Sequence, residues 1–222
     1  MTPRYRLIVF DWDDTIADSE ARIVSSVEAA VMELGLPART PAEIRNIIGL
    51  GMRECMQALF PEIPESRYQG FFDAYRKQFQ TRAQRPVSLF PGVKSVLMSL
   101  DSRGYLLAVA TGKSRRGLDR ELRESGLQTL IGVSRCADEA PSKPHPQMLE
   151  DVLELAAVEP ATALMVGDTI YDMQMARDAG VDRVAVSYGA HERSRLIEFD
   201  PLTVVESLND LESWLSQTAQ AG

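Results

Sequence analysis

Cysteine and histidine are scarce in this chain, two of each among 222 residues. Cys55 and Cys136 stand far apart, so the sequence offers neither a disulfide framework nor a thiolate metal site. Both have apolar neighbours and read as buried free thiols, which makes a reducing cytoplasm the expected compartment. His145 and His191 show no ligand spacing, and local hydrogen bonding or exposure is the expected role of each. No apolar run approaches the roughly 20 residues that span a bilayer. Only Leu7 to Phe10 separates the polar start from Asp11, too short a stretch for a secretory signal. Cationic charge is also short: 24 Lys and Arg against 32 Asp and Glu give a net charge of −8. Extended contact with nucleic acid or anionic membrane is therefore not expected, because either needs a basic surface to displace counterions. An anionic small molecule remains open to such a chain, provided that a few cations gather in one pocket. Internal repeats and low-complexity tracts are absent.

What is present reads as a globular protein. Hydrophobic residues make up 45% and charged residues 25%, ordinary values, and the length suits one large domain or a core domain with a small insert. Leu7-Ile8-Val9-Phe10, Leu106-Leu107-Ala108-Val109-Ala110 and Ala163-Leu164-Met165-Val166 are apolar runs without alternation. That is the pattern of strands covered on both faces in a parallel sheet. Arg183-Val184-Ala185-Val186 reads as a fourth strand and Gly132-Val133-Ser134-Arg135 as a weaker fifth. Helical patterns fall between them near 92–102, 114–125, 146–157 and 170–179. Gly104, Gly126 and Gly180 lie near the ends of the first, second and fourth, where a left-handed cap is wanted. Strand and helix alternate from residue 86 onward, which predicts a doubly wound α/β fold with a parallel sheet.

Residues 17–85 break that rhythm and contain no convincing strand. Ile23, Val27, Ala30, Val31 and Leu34 share one helical face, and Thr40-Pro41-Ala42-Glu43 reads as a capping box with proline at the first helical position. Phe71, Phe72, Tyr75 and Phe79 form a further stripe, expected to be helix-packing core rather than a binding face. The expected organisation is an α/β core from 1–16 and 86–222, interrupted by an all-helical insert at 17–85. Gln217 to Gly222 read as a frayed tail.

The three strong runs all end in groups suited to phosphate chemistry: Asp11 and Asp13, then Thr111, then Asp168. Ligands of an open parallel sheet bind beyond the carboxyl ends of its strands, so these residues are expected to converge there. Each also has a plainer reading. Residues 11–15 could be an acidic turn, Thr111 and Asp168 helix N-caps, and Lys143 a loop lysine, although Pro144 and Pro146 stiffen that loop. One shared site accounts for all of them together. At about 4 Å and an effective dielectric of about 20, each like-charge pair costs roughly 4 kcal/mol, so bare carboxylates would repel a phosphate dianion. Mg²⁺ held by Asp11 and Asp168, with Lys143 alongside, reverses that sign, since Mg²⁺ takes a few carboxylates plus waters and substrate oxygens. Thr111 and the backbone N–H groups after it, beginning with Gly112, are expected to bind the remaining phosphate oxygens.

Asp11-Trp12-Asp13-Asp14-Thr15, Thr111-Gly112, Lys143-Pro144 and Gly167-Asp168-Thr169-Ile170-Tyr171-Asp172 resemble the four ordered motifs of the haloacid dehalogenase superfamily. The resemblance is closest to its phosphoglycolate-phosphatase-like branch and spans nearly the whole chain, because the helical insert falls where that branch carries a mobile cap. It implies a Mg²⁺-dependent phosphatase acting on a small phosphorylated metabolite. Asp11 would be the nucleophile that forms an aspartyl-phosphate. Asp13 would be the acid and base, and a metal ligand through its backbone carbonyl. Asp168 would supply a metal carboxylate, Asp172 would orient a metal-bound water, and Lys143 would stabilise charge. The insert would close as a lid about connections near 14–18 and 84–90. Its loop Gly49-Leu50-Gly51-Met52-Arg53 would select the substrate, with Arg53 anchoring an anionic tail. Nothing in the pattern demands more than a monomer, a weak dimer being the alternative. Asp14 departs from the family, which usually has glycine there; it either alters loop geometry or adds charge at a helix N-terminus.

A β-phosphoglucomutase-like phosphomutase is the nearest alternative, since Asp13 serves both reactions. A dehalogenase has no leaving alkoxide for Asp13 to protonate. A phosphonatase needs a Schiff-base lysine in the insert, where only Lys77 stands. Thr111-Gly112-Lys113-Ser114 ends like a nucleotide-binding P-loop, but position 107 is leucine where that motif needs glycine. From another class, a catalytically idle binding module would keep the fold and lose the charged set, which here is complete.

Overall fold

The computed structural model describes residues 4–82 and 87–218. The expected insert boundary at 85–86, residues 84–86 of the second expected hinge, the first three residues and 219–222 of the expected tail lie outside the described residues. The strands are β1 (Leu7–Phe10), β2 (Leu106–Thr111), β3 (Val133–Cys136), β4 (Ala163–Gly167), β5 (Asp182–Val186) and β6 (Val204–Val205). The helices are α1 (Glu20–Glu33), α2 (Pro41–Arg45), α3 (Met52–Leu59), α4 (Tyr68–Thr81), α5 (Val93–Ser102), α6 (Arg115–Ser125), α7 (Gln147–Ala156), α8 (Ile170–Asp178), α9 (Arg193–Leu196) and α10 (Leu208–Thr218).

All strand pairs are parallel, in the order β3-β2-β1-β4-β5-β6. The apolar runs do not alternate because both faces are covered. Ile8 and Phe10 pack with Val96 and Leu97 of α5, Leu122 of α6 and Leu211 of α10. Leu7 and Val9 pack on the opposite face with Met148 and Val152 of α7 and Met175 of α8. The chain lays down β1, β2 and β3 toward one edge and then returns to place β4 on the other side of β1. That reversal opens a crevice beyond the carboxyl end of β1.

Helices α1–α4 share a separate apolar cluster built on Ile23, Val27, Met56, Phe60 and Phe71. The capping box at Thr40 and Glu43 is formed, with Pro41 in the first turn. The stripe on α4 packs this cluster, with Phe60–Phe71 and Tyr75–Phe79 ring centroids 5.9 and 5.7 Å apart. It also lines one wall of a cavity, so the reading of it as packing core alone is too narrow. β6 and α10 are among the elements not expected. β6 is two residues long, below what periodicity can register. α10 buries Leu208, Leu211 and Leu215 and includes Gln217, which corrects the expectation of a tail beginning there. Gly126 closes α6 in the left-handed region, φ 71°, as expected of a glycine after a helix.

Cys55 and Cys136 are free and buried, and burial pushes both thiols up to about 12, so they are inert as nucleophiles. Among the described residues no helix is long and apolar enough to cross a membrane.

Candidate active site

β1 ends at Phe10, but the ladder continues one step: Asp11 N–H donates to Val166 O of β4 at 2.9 Å, which carries Asp11 to the sheet edge. There it is fully buried beside Lys143. The Lys143 Nζ lies 2.7 Å from Asp11 Oδ1 and 2.6 Å from Asp172 Oδ1. Asp172 is fixed by a capping box in the first turn of α8, where Thr169 is the N-cap and Thr169 N–H donates to Asp172 Oδ2 at 3.0 Å. The capping role suggested for Asp168 therefore falls to Thr169. The Asp168 carboxylate instead accepts from Thr15 Oγ1 at 2.9 Å and from Ala190 N–H at 2.8 Å. Glycine is required beside both acids: a Cβ on Gly189 would lie 2.3 Å from Asp168 Cβ, and one on Gly167 2.5 Å from Asp172 Cβ.

Carboxylate oxygens of Asp11, Asp168 and Asp172 come within 4.8 Å of one another. Burial pushes Asp11 up to about 7, against the pull of Lys143 and with a push from Asp172. Burial, then Asp11 and Asp172, holds Asp168 well above the ordinary carboxylate range. Burial disfavours the charge on Lys143, but the two acids outweigh it and keep it protonated. Asp11 Oδ2 is buried without a hydrogen-bond partner. One lysine thus stands among three buried carboxylates, one of whose oxygens has no hydrogen-bond partner; the donor set fits a small divalent ion bound by oxygen.

Asp13 is turned elsewhere. Its carboxylate accepts from Lys113 Nζ at 2.7 and 2.9 Å and from Ser19 Oγ at 2.8 Å. Trp12 donates through Nε1 to Glu121 at 2.7 Å, and Glu121 lies 3.3 Å from the same Lys113. Thr111 is buried at the end of β2 and is not an N-cap; Ser114 caps α6, accepting from Gly117 N–H. Lys113 and Glu121 were missed by sequence reasoning. Lys113 was read only as the end of a failed P-loop, and Glu121 carries no signal, being one acid on a highly polar helix. In the fold Glu121 is buried, with Lys113 at 3.3 Å and Arg22 at 3.7 Å.

The loop before α3 sits on this edge. Asn46 O accepts from Tyr171 Oη at 2.7 Å, and Gly51 N–H donates to Ser142 Oγ at 2.7 Å. A Cβ on Gly112 would stand 2.6 Å from Gly49 O, so the loop backbone lies directly against the turn after β2. Arg53 is a correction. It lies on the outer face of α3, exposed and paired with Glu65 at 2.6 Å, while Met52 and Cys55 face inward. His191 stays neutral, since burial and then Arg195 lower it to about 4; it accepts from Ile170 N–H through Nδ1. His145 Nδ1 accepts from Gln147 N–H. Lys77 is exposed and paired with Glu33.

Asp14 takes the left-handed region, φ 58°, a conformation that aspartate tolerates better than most residues. Its Oδ1 accepts from Ser19 N–H at 2.9 Å and Glu20 N–H at 2.7 Å, so the carboxylate caps α1 from a distance. These contacts are those of the second alternative stated for this residue, a carboxyl at a helix N-terminus. Burial, then Asp13, pushes Asp14 up to about 7. A carboxyl whose folded pKa exceeds its unfolded value binds more protons when folded, so its contribution falls as pH rises through that interval. Asp14→Asn, which keeps the accepting oxygen, is expected to raise the melting temperature by about 2–4 °C at pH 8 and leave it unchanged at pH 4. Scanning calorimetry at the two pH values checks this.

Comparison with known proteins gives the family. A family model described as haloacid dehalogenase-like hydrolase matches residues 8–186. The N-acetylmuramic acid 6-phosphate phosphatase of Pseudomonas putida is 32% identical, covering 84% of each chain. The phosphoglycolate phosphatase of Nitrosococcus oceani is 28% identical over 99% of this chain and 100% of its own. A crystal structure described as a predicted phosphoglycolate phosphatase from Haemophilus somnus superposes with a TM-score of 0.86 at 25% identity, over 96% of this chain and 99% of that one. The chain belongs to the haloacid dehalogenase-like hydrolase family, as a phosphatase of its phosphoglycolate-phosphatase-like branch.

Proposed function

We propose that the chain hydrolyses a small phosphomonoester with Mg²⁺, passing the phosphoryl group through Asp11. The buried Asp11, one oxygen on Lys143 and the other without a partner at the mouth of the β1 crevice, supports this most directly. Asp11 and Asp168, with the backbone carbonyl of Asp13, are the groups that would hold the ion; when bound it supplies the positive charge that lets a phosphate dianion approach these carboxylates.

A carboxylate oxygen of Asp11 attacks phosphorus as the bond to the alcohol oxygen breaks, leaving an aspartyl-phosphate. Asp13 protonates the departing alkoxide. It then takes a proton from a water whose oxygen attacks the same phosphorus, releasing inorganic phosphate and restoring the Asp11 carboxylate. Lys143 remains protonated and stabilises charge on Asp11 and the phosphoryl oxygens. Thr111 Oγ1 and the N–H groups after it hold those oxygens in place. Lys113 keeps the Asp13 carboxylate at the edge of the site. The core at 1–16 and 86–222 carries all these groups. The 17–85 segment serves as the lid, a role supported by the loop contacts of Asn46, Gly49 and Gly51. One chain supplies every group, so a monomer suffices, and the two buried free thiols suit a reducing cytoplasm.

Release of phosphate from 4-nitrophenyl phosphate tests this reading, with loss of turnover on chelation as the expected result. Incubation with sugar phosphates, comparing free phosphate with isomerised ester, separates hydrolysis from mutase activity. Protons and Mg²⁺ compete for the same raised carboxylates, so Mg²⁺ is expected to raise the melting temperature by several degrees at pH 8 and much less at pH 5. An equal shift at both would place the ion elsewhere.

A further inference from the structure

Resting on the hydrolase reading, we infer that the substrate is a phosphomonoester whose alcohol carries a bulky ring-sized apolar body and a second anionic group. A two-carbon acid such as phosphoglycolate does not fill the space provided. The site opens, at Asp13, Gly112 and Lys113, into a cavity of about 620 Å³. At about 30 Å³ per water the space equals roughly twenty waters, against about nine non-hydrogen atoms in phosphoglycolate, several of them in the phosphate that sits at Asp11. Pockets of this size accommodate drug-sized ligands. Its wall on the helical segment is apolar and aromatic, with Val27, Phe71, Phe72, Tyr75 and Phe79 contributing. A small acid would leave that wall wet, whereas a ring would cover it.

The opposite wall is cationic, on a chain whose net charge is −8. Lys113, Arg116, Arg120 and Arg123 line it, against Asp13 and Glu124, and Arg76 of α4 adds a cation from the helical side. Lys113 is taken up by Asp13. Arg116, Arg120 and Arg123 follow at helical spacing along one side of α6 and form a row about 10 Å long leading away from Lys113. Arg120 has a buried Nε without a hydrogen-bond partner; its nearest carboxylates, Glu121 and Glu124, stand 3.4 and 3.7 Å from guanidinium nitrogens. Guanidinium groups so placed suit a carboxylate or phosphate at the far end of the ligand.

The test compares three esters with Mg²⁺: phosphoglycolate, 2-naphthyl phosphate, and 2-naphthyl phosphate bearing a carboxylate on the distal ring. The expected kcat/KM rises from the first to the third, by about tenfold or more at each step. In the double variant Arg116→Gln/Arg120→Gln the ratio between the two naphthyl esters should fall toward one, through KM. Calorimetric binding of the same three esters to Asp11→Asn should repeat the order without turnover. The inference is overturned if phosphoglycolate equals or exceeds the naphthyl esters, or if the arginine variant preserves the ratio. Binding in the expected order with no phosphate released by the wild type would uphold the ligand class and remove the hydrolytic reading instead.

Discussion

Asp11→Asn is expected to lower kcat for phosphate release by about 10⁴-fold or more while leaving a folded protein. An amide cannot form the phosphoryl bond, and the remaining groups position and stabilise but do not attack. The substitution is nearly isosteric in a fully buried position, so no cavity opens. Lys143 keeps Asp172 as a partner at 2.6 Å. Burial and Asp172 raise Asp11 to about 7, against Lys143, so the acid favours the folded state at low pH and opposes it as pH rises through that value. The asparagine variant should therefore gain stability relative to the wild type between pH 5 and pH 8. Steady-state assays paired with calorimetry over that range measure both effects. Retained turnover would remove Asp11 from the role of nucleophile.

Lys143→Met is expected to produce the largest loss of stability. The side chain is fully buried between Asp11 and Asp172, and methionine matches its length while removing the charge. Three acids would then face one another in low dielectric with no cation. Removing one partner of a buried ion pair costs about 3–5 kcal/mol, and about 2–4 °C per kcal/mol is typical at this chain length. A fall of about 6–20 °C in melting temperature at pH 8 without divalent ion follows. At pH 5 the fall should be smaller, because Asp11 and Asp168, both raised first by burial, are then protonated. Added Mg²⁺ should restore part of it. Thermal melts at two pH values, with and without Mg²⁺, decide the matter; a fall of under 3 °C at pH 8 without Mg²⁺ would mean that the lysine does not hold the acids together.

Most of the sheet was legible because β1, β2 and β4 are covered on both faces and their residues had to be apolar throughout. The polar groups ending those strands were legible for the same reason, as abrupt changes after unbroken runs. β6 and α10 were not. Two residues of strand leave no period, and three leucines, Leu208, Leu211 and Leu215, are a weak helical signal beside a turn-rich stretch. Within the site, pairing rather than presence escaped the sequence. Lys113 and Glu121 are ordinary surface residues until the turn after β1 brings Asp13 and Trp12 against them. Arg53 misled because loop membership says nothing about helical face; one residue earlier, Met52 lines the cavity. The arginines of α6 carry no signal in the sequence, and only the arrangement of α4 opposite them gives that row a cavity to line.

Everything proposed for this site depends on a carboxylate at the end of β1 carrying the phosphoryl group. Acid quenching of the enzyme during the first turnover, followed by peptide mass mapping, measures this directly. A phosphoryl group on the peptide containing Asp11, absent without Mg²⁺, is the expected result. Rapid turnover with no phosphorylated peptide, or with the group on another residue, would contradict it.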